Sequence, residues 1–192
     1  MPMRDEPVIG SVEFAVGNVL KPWDLDPEEY HIVVEGKISV LVDEDDVPAG
    51  KMELVVIKLA EAHHARVDVY QVFDAHSDAL ADAYGALFDT RGRFRKRHGI
   101  ERRLDDLLYI DDIRIHADFD RRSLLAQSVE TAISLLAPTG VVFAYAGDLN
   151  KYGIRWQKYG FKSAGKPEII LRDNWDIDPD VLATWTMQDD EL

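Results

Sequence analysis

Apolar residues recur along this chain in two periods, and each change of period marks a boundary between elements. Residues 11–20 alternate loosely and predict a first strand. Asp26-Pro27-Glu28-Glu29 then offers an N-cap, a first-turn proline and two acids, the start of a short helical turn. Residues 31–42 and 51–60 are β-branched runs separated by an acidic stretch and a Pro48-Ala49-Gly50 turn, and they read as an antiparallel hairpin. Residues 67–73 fit both periods in part, with a strand as the expectation. Ser77 caps a helix to about residue 88 whose buried stripe is Leu80, Tyr84, Leu87 and Phe88.

The stretch 106–136 organises the rest. Leu108 and Ile110 put apolar side chains on one strand face, but Ile113 and Ile115 continue the series on odd numbers, so the phase changes at Asp111-Asp112. A one-residue phase change inside a strand is a bulge, with one carboxylate expected inward and the other outward. After His116 the period becomes helical, through Leu125, Val129, Ala132, Ile133 and Leu136. The loop 118–123 between them ends at a helix start, where unpaired N–H groups and the positive end of the helix dipole favour an anion. Pro138-Thr139-Gly140 closes the helix, and 141–146 is an apolar run suited to a strand buried on both faces. The intervening helix makes that strand parallel to 107–115. Residues 150–159 are expected to be helical, Gly160-Phe161 to turn, 168–171 to form a last strand, and 173–192 to be a docked helix with a frayed end.

Strand, bulge, helix-start loop, helix and parallel strand together resemble the GNAT-type N-acetyltransferase superfamily, over roughly residues 53–172. In that family the loop has the form Arg/Gln-x-x-Gly-x-Gly/Ala and wraps the coenzyme A pyrophosphate. Here the matching hexapeptide is Asp120-Arg121-Arg122-Ser123-Leu124-Leu125, with Asp120, Ser123 and Leu125 at the three signature positions. Trp156-Gln157-Lys158-Tyr159-Gly160-Phe161 is similar to the family's Tyr-x-x-x-Gly-Phe ending, with Trp156 where the general-acid tyrosine often stands. The resemblance implies an α+β (α/β mixed) fold: a central mixed, mostly antiparallel sheet with one parallel splayed strand pair, flanked by helices. It implies transfer of an acetyl group from acetyl-coenzyme A to an amine of a small molecule or peptide. The catalytic candidates are Asp111, Asp112 and Tyr159, and the cofactor candidates are Ile113, Ile115, Arg121, Arg122, Ser123, Leu124 and Leu125. The alternative is a catalytically silent member, a binding or regulatory protein that has lost coenzyme A. An aspartate about 5 Å from a phosphate charge costs on the order of 3 kcal/mol at an effective dielectric of about 20, before screening. Arg121 and Arg122 are the groups available to offset it.

Composition narrows the picture. The 192 residues, 46% apolar and 30% charged, suit a single globular domain over 1–192 with an acidic C-terminal extension from about 174. A formal charge of −14 opposes nucleic acid and anionic membrane and favours an amine-bearing partner. Within it, residues 91–103 reverse the sign with seven of the chain's 22 Lys and Arg, either a landing site for phosphate or a basic surface packed on the protein's own acids. There is no cysteine, which excludes disulfides and thiolate chemistry. His63 and His64 are adjacent and would face opposite ways in a strand, so no metal site is expected. No window reaches the roughly 18 apolar residues of a membrane span, and a cytoplasmic protein is the expectation. A homodimer is left open.

Overall fold

Seven strands form one open mixed sheet in the computed structural model, which describes residues 9–16, 26–100, 106–165 and 168–175. They are β1 (Ile9–Val16), β2 (His31–Val42), β3 (Asp45–Ile57), β4 (Leu107–Ile115), β5 (Val141–Tyr145), β6 (Lys162–Ser163) and β7 (Ile169–Asp173). Their spatial order is β1-β2-β3-β4-β5-β7-β6, and every neighbouring pair is antiparallel except β4 and β5. The helices are α1 (Leu59–His64), α2 (Val69–His76), α3 (Asp78–Leu87), α4 (Arg121–Leu136) and α5 (Ala146–Leu149). The fold is therefore α+β, mostly antiparallel, with the one parallel pair where a helix connects two strands. The expected strand residues 17–20 and most of the expected C-terminal helix lie outside the described residues.

Two apolar layers cover the sheet. On one face α4 packs Leu124, Leu125, Val129 and Ile133 against Leu108, Ile110, Ile113 and Ile115 of β4 and Met52 and Leu54 of β3. On the other, α1 to α3 pack Leu59, Val72, Phe73, Leu80 and Leu87 against Leu107 and Tyr109 of β4 and Phe143 of β5. Alternate residues of β4 serve opposite layers, which is why its first four positions are all buried.

Four local expectations are corrected. The β2–β3 turn is Asp43-Glu44, both with positive φ (50° and 74°), the two-residue geometry that matches strand twist. Pro48 lies inside β3, where the register shifts so that Ala49 is an extra residue, a position in which a missing N–H is tolerated. Residues 67–73 are mostly helix: the Asp68 carboxylate accepts from the Tyr70 amide at 2.8 Å, and Val69, Val72 and Phe73 share one buried stripe. Residues 150–159 form two 3-10 turns, 150–152 and 156–159, because Gly153 at φ 71° takes the left-handed conformation that stops the first.

His31, at the start of β2, is only 3% exposed. Its Nδ1 pairs with the Glu28 carbonyl at 3.2 Å, and its ring lies edge-on to His76 with centroids 5.0 Å apart. Burial, and then the neighbouring His76, push the imidazole down to about 4. The unfolded chain, with a histidine near about 6.5, then binds this proton more readily than the native one. The contribution is fully present above about 6.5, is lost as pH falls towards 4, and amounts to at most about 3 kcal/mol before solvent screening. Wild type should therefore lose more stability than His31→Phe across this window in urea titrations. Parallel pH slopes would contradict the assignment.

Candidate functional site

The bulge falls where the change of phase predicts it. Glu53 of β3 faces Asp112 and Leu54 faces Ile110, which leaves Asp111 as the extra residue. Ile110 and Ile113 both belong to the α4-side core, so both aspartates lie on the other face, correcting the expectation of one inward and one outward. Burial, followed by the charge of the nearby Asp111, pushes the Tyr109 phenol above its usual range. Asp112 pairs with Lys151 at 3.2 Å and with the Arg114 guanidinium. Burial alone would raise the Asp112 carboxyl, but the hydrogen bonds from Lys151 and Arg114 hold it below the ordinary carboxylate range. Burial likewise works against the Lys151 ammonium, and Asp112 and Asp148 more than offset it, raising that group. A carboxylate held down by two cations is a weak proton acceptor for an amine.

Around these residues the exposed sheet face carries charge in rows. Glu35, Glu53 and Asp112 are cross-strand neighbours, and Lys37, Lys51 and Arg114 form the next row. The rows close on one another through Lys51–Glu53 at 3.0 Å and through Arg114–Asp112. This face is self-compensated and solvated.

β5 pairs with β4 only over Leu107 to Ile110 and then turns into α5, so β4 from Asp111 onward has no strand beside it on that side. The α4-side core holds Leu125, Leu149 and Trp156 together with Ile113 and Ile115. Trp156 is 2% exposed, and its indole donates to the Leu149 carbonyl at 3.0 Å. Tyr159 packs its ring on that indole with centroids 5.5 Å apart, and its carbonyl accepts from Arg172 at 3.1 Å. The side chains of Ile113, Ile115, Leu124 and Leu125 are buried core groups.

At the start of α4, Asp120 is the N-cap. Its carboxylate accepts from the amides of Arg122 at 3.0 Å and Ser123 at 3.4 Å. These are the N–H groups that a bound anion at a helix start would use. The Ser123 hydroxyl accepts from Gln127 at 2.8 Å, and the Arg121 guanidinium lies 5.6 Å from the centre of the Tyr152 ring. Asp120→Ala should lower stability by about 1 kcal/mol, the usual worth of an aspartate cap. Chemical denaturation measures this directly, and an unchanged midpoint would mean that the cap contributes nothing.

The described part of the basic segment, 91–100, belongs to the other layer, and residues 101–103 lie outside the described residues. Phe94 and Ile100 join the core on the α1–α3 side, on the opposite sheet face from Asp120. Arg95 donates twice to the Gly85 carbonyl (3.1 and 2.8 Å), and Arg97 donates to the carbonyls of Ala86 and Ala164 (3.0 and 2.7 Å). Two of the basic side chains thus bind backbone, chiefly at the C-terminal end of α3, where cations are favoured.

No group of histidines and carboxylates among the described residues could hold a metal ion, and no described helix is long and apolar enough to cross a membrane. The Arg172–Glu130 and Lys151–Asp112 pairs escape the sequence reading, because each joins residues that no local period relates. Comparison with known protein families, curated proteins and solved structures gives no match. The class that fold and site define is an α+β protein with an open seven-stranded mixed sheet, one parallel strand pair and a bulged central strand.

Proposed function

We propose that the chain is a GNAT-like scaffold that has lost coenzyme A binding and acts as a binding or regulatory module. The observation that carries this reading is Asp120: its carboxylate holds the amides of Arg122 and Ser123, where the family's loop would receive a pyrophosphate. Leu125, at the loop's last signature position, and Trp156, at the place of the family's tyrosine, support it because both are buried core side chains in the same cluster as Ile113 and Ile115. The commitment of Asp112 to Lys151 and Arg114 supports it further, by weakening the nearest base. A thermal-shift series with acetyl-coenzyme A tests it: the melting temperature should not move at millimolar ligand.

A second reading, an acetyl-coenzyme A-dependent N-acyltransferase acting on a small-molecule or peptide amine, draws on one observation. The β4 backbone beyond Ile110 lacks a strand neighbour on the β5 side, leaving N–H and C=O groups for an extended ligand. In that reading Asp111, which has no ion-pair partner among the described residues, is the candidate base and Tyr159 the candidate acid. Thiol release with a panel of amines would support this reading and overturn the first.

A further inference from the structure

A cavity of about 860 Å³ opens on the α1–α3 side of the sheet, between the start of α2, α3 and the loop that follows it. Its size lies within the range of small-molecule sites, about 300 to 1,000 Å³. Val67, Val69, Phe94 and Ile100 supply an apolar floor. Tyr84 stands at the side with its hydroxyl donating to the Asp89 carbonyl at 3.2 Å.

The wall is a built loop. The Asp89 carboxylate accepts from the amides of Arg91 at 2.8 Å and Arg93 at 3.1 Å and from the Arg93 side chain at 3.3 Å. Gly92, at φ 69°, supplies the left-handed residue that this turn requires. Both acids of the lining are thereby engaged: Asp89 within its own loop, and Asp68 as the cap of α2. With Arg93, Arg95 and Arg97 also committed, two cations remain at the cavity, Arg91 and Lys96. Both are exposed, and neither has an ion-pair partner among the described residues. In a chain whose formal charge is −14, that is a local positive site over an apolar floor.

We propose that this cavity binds a small organic phosphate with an apolar ring. Two unpaired cations call for a head group carrying about two charges, as a phosphate monoester does near neutral pH. The apolar floor calls for a body that gains by leaving water. The site lies on the opposite sheet face from α4, so it stands or falls independently of the coenzyme A question.

The test uses the full chain, isotope-labelled, titrated with phenyl phosphate and followed by NMR. Inorganic phosphate and phenol serve as controls for head and body alone. Phenyl phosphate should give saturable shifts at Tyr84, Thr90 and Phe94. Inorganic phosphate should bind at least about tenfold more weakly, since it forgoes the apolar burial. Arg91→Gln combined with Lys96→Gln should weaken phenyl phosphate by about tenfold or more, because charge-assisted contacts to phosphate are strong. Both residues are exposed, and an unchanged circular dichroism spectrum and melting temperature would show that the double variant folds. The proposal is overturned if no saturable shift appears at the cavity, if the shifts centre on Arg121 to Ser123 instead, or if the folded double variant binds like wild type.

Discussion

Arg172→Leu should lower stability by about 3 to 5 kcal/mol, the usual effect of removing one partner of a buried ion pair. Arg172 is 1% exposed on β7, donates to the Glu130 carboxylate of α4 and to the Tyr159 carbonyl, and lies 5.9 Å from the centre of the Phe161 ring. It therefore ties the helix after β4 to β7, two strands away in the sheet. Burial already raises the Glu130 carboxyl, and the arginine offsets part of that rise. Leucine would fill part of the volume and leave the carboxylate without its cation among the described residues, so Glu130 would take up a proton at a higher pH. Arg172→Leu with Glu130→Leu should recover most of the loss, since an apolar replacement of the whole pair removes the uncompensated charge. Urea unfolding at neutral pH measures both variants. A single variant within about 1 kcal/mol of wild type, below the usual range for a broken buried pair, would contradict the assignment.

Trp156→Ala should cost about as much, roughly 3 to 5 kcal/mol, through lost burial and the cavity left behind. The indole is packed by Tyr159 and Phe161, with centroids 5.5 and 5.6 Å away, and it satisfies the Leu149 carbonyl. Trp156→Phe keeps most of the volume and loses the hydrogen bond, so its effect should be about 1 to 2 kcal/mol. Equal losses in the two variants would assign the contribution to the N–H rather than to packing. A near-neutral Trp156→Ala would mean that the indole is not packed into the α4-side core as described. That would also remove one support of the proposed loss of coenzyme A.

The central unit was legible in the sequence because its signals are local. The phase change at Asp111-Asp112 gave the bulge, the stripe Leu125 to Leu136 gave α4, and the apolar run at 141 gave the parallel β5. Where local signals compete, the reading went astray. Val67 to Phe73 has partial strand alternation, but Asp68 caps a helix there, and burial of Val69, Val72 and Phe73 together decides the outcome. Asp43 tolerates a positive φ, but Glu44 is not a residue that announces one, and with no glycine or asparagine the pair gives only a weak turn signal. The site was legible only as a set of candidates. Whether Asp120 faces a ligand or caps its own helix depends on one rotamer, and whether Asp112 is free depends on Lys151, 39 positions away. Neither is written in a period. The basic run was visible as charge, yet the division of its described part, 91–100, into the carbonyl-binding Arg95 and Arg97, the Asp89-paired Arg93, and Arg91 and Lys96 needed α3 and the loop beside it.

The most direct test of the central claim is calorimetric titration of the wild-type chain with acetyl-coenzyme A at low ionic strength, where attraction to Arg121 and Arg122 is least screened. With the Arg122 and Ser123 amides held by Asp120, the account predicts no saturable heat up to millimolar ligand. A saturable isotherm that weakens when Arg121 and Arg122 are replaced by Ala would contradict it and return the chain to the acyltransferase reading.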